Sequence, residues 1–118
     1  MLDKLRKMMQ DAVGASAIPS LTATEAEARR KDKGVMLVDV REPFEYEDGH
    51  IPGALLMPLG AVGTRWKELT KHEQVIVVCR SGNRSSNATR QLHELGVKQA
   101  VNLTGGMISW AAARLPIS

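Results

Sequence analysis

The single cysteine of the chain, Cys79, opens the run Cys79-Arg80-Ser81-Gly82-Asn83-Arg84-Ser85. A thiol becomes a nucleophile when its pKa is lowered, and helix N-termini, backbone N–H groups and arginines all lower it. This run supplies each of them. Gly82 accepts a positive φ and Asn83 tolerates one, so the loop can curl with its N–H groups inward as an anion cradle. A helix following the loop adds partial positive charge. Arg80 and Arg84 add two full charges. A lone cysteine ending a strand is ordinarily an inert core thiol, but arginine, glycine and asparagine are poor core partners and good anion ligands. Cys79 is therefore read as the catalytic residue, with Arg80, Ser81, Gly82, Asn83, Arg84 and Ser85 binding an anionic substrate around it.

Other residues read as supports. Asp39 closes an apolar run, where its carboxylate can accept loop N–H groups. Arg41 and Glu45, four apart, are expected to pair across one helical turn. His50 lies in a turn between Gly49 and Ile51 and fits a turn-fixing role better than that of a base, because a thiolate held by backbone dipoles needs none. Gly53, Gly105 and Gly106 read as backbone requirements and Trp110 as a packing anchor. His72 and His93 fall on polar stretches expected to be exposed and receive no role.

The elements that must position these groups alternate along the chain. Residues 1–17 read as an N-terminal amphipathic extension, with Leu2, Leu5, Met9 and Ala12 at helical spacing; it fits packing on the domain or on a second subunit. Its apolar face is short for a membrane anchor, and its scattered charges break any signal-peptide core. Residues 18–118 form one domain. Thr22 with Glu25, and Thr24 with Glu27, have capping-box spacing for a helix to about Lys31. Val35–Val40 reads as a buried parallel strand, Glu42-Pro43 as the start of a short helix, and Ala54–Met57 as a short strand. Arg65–Leu69 is expected to be helical. Val75–Val78 is the strongest strand and delivers Cys79 at its carboxyl end, where open α/β sheets bind ligands. Ser85–Leu95 is an amphipathic helix closed by Gly96. Ala100–Leu103 is a last strand, and Gly105-Gly106 leads into a final helix through Trp110. Such alternation implies right-handed crossovers and a mostly parallel sheet with helices on both faces.

The Cys79–Ser85 run resembles the active-site loop of rhodanese-like sulfurtransferases. Asp39-Val40-Arg41 with Glu45 is similar to the first signature of that family, Gly49-His50-Ile51-Pro52-Gly53-Ala54 to its second, and Gly105-Gly106-Met107 with Trp110 to its closing one. These motifs occur in family order between about Leu21 and Leu115. The resemblance implies a rhodanese-like α/β fold with a five-stranded sheet over 18–118. It also implies transfer of a sulfane sulfur from an anionic donor such as thiosulfate to a thiol or cyanide acceptor, through a persulfide on Cys79. That chemistry requires no metal or organic cofactor.

A partner-dependent carrier keeps the same cysteine and remains open, with a protein as sulfur acceptor. A cysteine phosphatase also uses a cysteine-to-arginine loop, but tyrosine-type phosphatases hold one residue more than the four between Cys79 and Arg84. No acid follows the loop before Glu94 to protonate a leaving alcohol.

Composition narrows the classes further. The 118 residues are 43% hydrophobic and 25% charged, one globular domain's worth. Sixteen basic against thirteen acidic residues leave a net charge of +3, and aromatics are only 3%. Mild charge and scarce aromatics argue against a nucleic-acid partner. One cysteine excludes an intramolecular disulfide and a cysteine-rich metal site, and points to a reducing, cytoplasmic compartment.

Overall fold

A computed structural model describes residues 18–118; the expected N-terminal extension lies outside the described residues. Strand β1 (Ser20–Leu21) leads into helix α1 (Ala23–Arg29), then β2 (Val35–Asp39), α2 (Pro43–Asp48) and β3 (Leu55–Leu56). A 3-10 turn (Leu59–Ala61), helix α3 (Val62–Arg65) and a second 3-10 turn (Trp66–Leu69) follow. The chain ends with β4 (Gln74–Val78), α4 (Asn83–Glu94), β5 (Ala100–Leu103) and α5 (Gly106–Ala112). The five strands form one sheet in the order β1-β5-β4-β2-β3, and every pair is parallel. This is the five-stranded α/β architecture that the resemblance implies, here with every strand pair parallel.

Period-two alternation splits the core into two layers. Val75 and Val77 of β4 pack with Val38, Ala88 and Leu92 on one face of the sheet. Ile76 and Val78 pack with Leu37, Ala26, Met107 and Trp110 on the other. Trp110 is fully buried, and its indole N–H reaches the Pro116 carbonyl at 2.7 Å, which ties the C-terminal segment down. Among the described residues no helix is long and apolar enough to cross a membrane.

The structure revises several local expectations. Strand β1 is two residues long, too short for a pattern, and forms because Asn102 and Thr104 donate to the Pro19 and Leu21 carbonyls at 2.8 Å each. Of the two capping boxes, the Thr22–Glu25 one forms, and α1 stops at Arg29, short of Lys31. The expected Arg65–Leu69 helix is the 3-10 end of a longer irregular segment from Leu59. Helix α4 starts at Asn83, not Ser85, because Gly82 with φ +108° serves as its N-cap. The loop after β4 is thereby reduced to Cys79–Gly82, and Arg84 and Ser85 ride on the first turn of the helix.

Candidate active site around Cys79

Alternation along β4 decides where the sulfur points. Cys79 continues the set Val75, Val77 and enters the core layer beneath the first turn of α4. It is only 1% exposed. The Gly82 N–H donates to Sγ at 3.0 Å, and the Ser85 Oγ lies 3.2 Å from Sγ. Burial pushes the thiol pKa up; hydrogen bonds from the Ser85 hydroxyl and from the N–H groups of Ser85, Gly82 and Ser81 pull it down, and the net direction is down. Donors converging on a sulfur at a helix N-terminus favour the thiolate.

The supports are arranged differently from the expected Arg41–Glu45 pair. Asp39 ends β2 in register with Val78 and is fully buried. It accepts the Arg41 N–H at 3.1 Å and the Arg41 guanidinium through Nε at 2.9 Å and Nη2 at 2.8 Å. The same guanidinium reaches the Gly49 carbonyl at 2.7 Å, so it staples the end of β2 to the Gly49–Gly53 turn. Glu45 instead pairs with Arg84 in a bidentate contact at 2.6 and 2.9 Å, linking α2 to the first turn of α4. The Arg84 hydrogen bond, against an opposing burial effect and with help from the Glu42 N–H, lowers the Glu45 pKa to about 2. Arg84 is held above its ordinary value, chiefly by Glu45 and to a lesser degree by the charge of Cys79. Two of the three arginines near the site are thus matched by carboxylates. Arg80 is exposed and has no ion-pair partner among the described residues.

The back of the site is built by the start of α5. Met107 N–H donates to the Cys79 carbonyl at 2.8 Å and Ile108 N–H to that of Arg80 at 3.1 Å. The approach is close enough that a Cβ on Gly106 would stand 2.3 Å from the Cys79 oxygen. Sequence reasoning missed one contributor, Asn102. Its Nδ2 donates to the Ser86 Oγ at 3.3 Å, and that hydroxyl donates to the Gly82 carbonyl at 2.6 Å, so the loop glycine is braced from β5. The asparagine Oδ1 is buried without a partner. An asparagine inside the otherwise apolar run Ala100–Leu103 was the available signal.

The histidines stand apart from the sulfur. His50 stacks on Tyr46 at 3.7 Å between ring centres, and its Nδ1 lies 2.7 Å from the Tyr46 carbonyl. Its backbone exchanges two hydrogen bonds with Ser118, in keeping with a turn-fixing role. His72 and His93 are half-buried, not exposed, and the His93 Nε2 contacts the Ala100 carbonyl at 2.7 Å. Among the described residues no cluster of histidine, cysteine and carboxylates is arranged to hold a metal.

Comparison with known proteins agrees with this geometry. A family model described as a rhodanese-like domain matches residues 22–113. An Allochromatium vinosum sulfurtransferase is 43% identical over 83 residues, covering 70% of this chain and 78% of its own. A Bacillus subtilis protein whose name proposes a sulfur carrier, YrkF, is 37% identical over 97 residues; the match covers 81% of this chain but only 52% of that protein. The crystal structure of a rhodanese-related protein from Thermoplasma volcanium superposes with a TM-score of 0.77 at 32% identity, covering 85% of this chain and 97% of that one.

Proposed function

The chain belongs to the rhodanese-like family, and on that premise we propose that it moves a sulfane sulfur from an anionic donor such as thiosulfate to a thiol or cyanide through a persulfide on Cys79. The observation that carries the reading is the buried sulfur of Cys79 facing the Gly82 N–H and the Ser85 hydroxyl, with its pKa lowered. The Cys79 thiolate attacks the outer sulfur of thiosulfate. The sulfur–sulfur bond of the donor breaks, and sulfite leaves with the electron pair. An acceptor thiolate or cyanide then attacks the outer sulfur of the persulfide, the bond to Sγ breaks, and the Cys79 thiolate is restored.

Every species in this cycle is anionic, so the same donors serve each step. Arg80, Ser81, Asn83 and Arg84 are the proposed ligands of the donor anion, with Asp39, Arg41 and Glu45 holding the loop in shape. No resident cofactor takes part, and a reducing cytoplasm suits a free thiolate. The loop, one residue shorter than in tyrosine-type phosphatases, converges on a single sulfur, which favours sulfur over phosphoryl transfer.

A second reading, a carrier that turns over only with a protein partner, is favoured by one feature: Phe44 and Ile108 lie exposed in a groove that Arg80 also lines. Intact-mass measurement after incubation with thiosulfate tests the chemistry common to both. A gain of one sulfur, removed by cyanide and absent from a folded Cys79→Ser protein, is expected. Sulfur uptake by Cys79→Ser would refute it. Steady-state turnover with thiosulfate and cyanide then separates the enzyme from the carrier.

A further inference from the structure

We propose that the groove between α2 and α5, beside the Cys79 loop, docks a cysteine-bearing segment of a protein sulfur acceptor that sets one apolar and one acidic side chain next to its thiol. The proposal rests on the sulfur-transfer reading above and names the acceptor class for it.

The groove has a volume of about 480 Å³ and is lined by Phe44, Met107, Ile108 and Ala111 together with charged residues of α2 and the loop. Phe44 is the only phenylalanine of the chain, yet it is 73% exposed, and Ile108 is 51% exposed. Folding does not require this. Helix α2 has no fully buried residue; it is fastened by Tyr46, which packs against the core and donates its hydroxyl to the Ala54 carbonyl at 2.7 Å, and by the Glu45–Arg84 pair, without Phe44. An exposed aromatic and an exposed isoleucine lining one groove at a reactive loop have the composition of an interface centre, where aromatic residues and arginine carry most of the binding energy.

The charges select the partner. Arg41 and Glu45 line the groove but are already matched, by Asp39 and Arg84. Arg80 and Asp48 remain without an ion pair among the described residues. Arg80 directly follows Cys79 in the chain and lines the groove, so an acidic group that pairs with it docks the partner beside the Cys79 loop. Asp48 in the same groove repels a longer acidic run, which limits the partner to a single acid near its thiol. Cyanide and thiosulfate are too small to use Phe44 and Ile108. A protein thiol, in contrast, must be oriented toward a sulfur that is almost fully buried, and docking supplies that orientation before the chemistry. In the step itself the acceptor thiol gives its proton to water. Its thiolate forms a bond to the outer sulfur of the Cys79 persulfide, the bond from that sulfur to Sγ breaks, and a persulfide on the partner and a thiolate on Cys79 result. No external oxidant or reductant is consumed.

The test uses the full chain loaded with sulfur from thiosulfate, in single-turnover transfer to three synthetic acceptors and to cyanide. The acceptors are acetyl-leucyl-cysteinyl-aspartyl amide and its analogues with glycine for leucine and lysine for aspartate. The leucyl-aspartyl peptide is expected to take sulfur about tenfold faster than either analogue, the scale of one interface anchor. Phe44→Ser, and independently Ile108→Ser, should erase most of the leucine advantage while the rate to cyanide stays within about twofold. Arg80→Ala should bring the aspartyl and lysyl peptides to equal rates. Equal rates for all three peptides with the wild-type chain, or an unchanged leucine advantage in both Phe44→Ser and Ile108→Ser, would overturn the docking proposal alone. Failure of the wild-type chain to load sulfur or pass it to cyanide would overturn the sulfur-transfer reading and the docking surface with it.

Discussion

Replacing Gly106 by alanine probes the joint between the nucleophile loop and α5. Gly106 has φ +56°, and a methyl group there would lie 2.3 Å from the Cys79 carbonyl oxygen and 2.6 Å from that of Arg80. Ordinary contact begins near 3.4 Å, so the Cys79 carbonyl must retreat by about 1 Å. That carbonyl accepts the Met107 N–H at 2.8 Å, and its neighbour accepts the Ile108 N–H at 3.1 Å. The left-handed backbone costs an alanine about 1–2 kcal/mol, and losing one or both hydrogen bonds adds about 0.5–1.5 kcal/mol each. The expected total is about 1.5–5 kcal/mol, at or below the lower end of the ~5–15 kcal/mol that holds a typical domain. Gly53→Ala is the control: its φ is +83°, but nothing lies within 4 Å of its would-be Cβ, so only the backbone cost of about 1–2 kcal/mol applies. Urea denaturation of both variants measures the difference through the midpoint at constant slope. Sulfur transfer by folded Gly106→Ala is expected to fall by about a hundredfold, because a displacement of about 1 Å at the nucleophile has that scale of effect. Destabilisation of Gly106→Ala no greater than that of Gly53→Ala, or wild-type transfer rates in it, would refute the reasoning.

Two further perturbations follow from the ion pairs. The Glu45 pKa is lowered from 4.5 to about 2, so its stabilising contribution is complete above pH 4.5 and is lost as pH falls toward 2. With the Arg84 side chain 35% exposed, solvent screening reduces the nominal shift to about 1–2 kcal/mol. Urea midpoints followed from pH 6 to 2 should therefore drop more steeply for the wild type than for Glu45→Gln, and parallel curves would remove the pair from the stability account. Arg80→Ala is expected to raise the KM for thiosulfate roughly five- to hundredfold, the range of one charge-assisted contact. Arg84→Lys, which keeps the charge but loses the bidentate geometry, should chiefly lower stability; steady-state kinetics beside denaturation curves distinguish the two, and an unchanged KM in Arg80→Ala would remove Arg80 from the donor ligands.

What was legible in the sequence was what is encoded within a few residues. The apolar runs of β2, β4 and β5, the Thr22–Glu25 capping box and the glycine after α4 are local signals, and they sufficed for the alternating α/β order and for the position of Cys79 at the end of a strand. The placing of Gly82 and Ser85 around the Cys79 sulfur was legible for the same reason, because these residues lie within one short stretch of chain. Tertiary structure decided the rest. Strand β1 exists only because β5 offers it hydrogen-bond partners, and two residues cannot carry a period. Helical spacing suggested Arg41 with Glu45, but Arg41 folds back on Asp39, and Glu45 meets Arg84, 39 positions away, because α2 is laid against the first turn of α4. The support of Gly82 by Asn102, and the demand for a bare Cα at Gly106, likewise arise where β5 and α5 are packed against the loop. Charge complementarity and close approach are properties of surfaces brought together by the chain's path, and short-range spacing holds no record of that path.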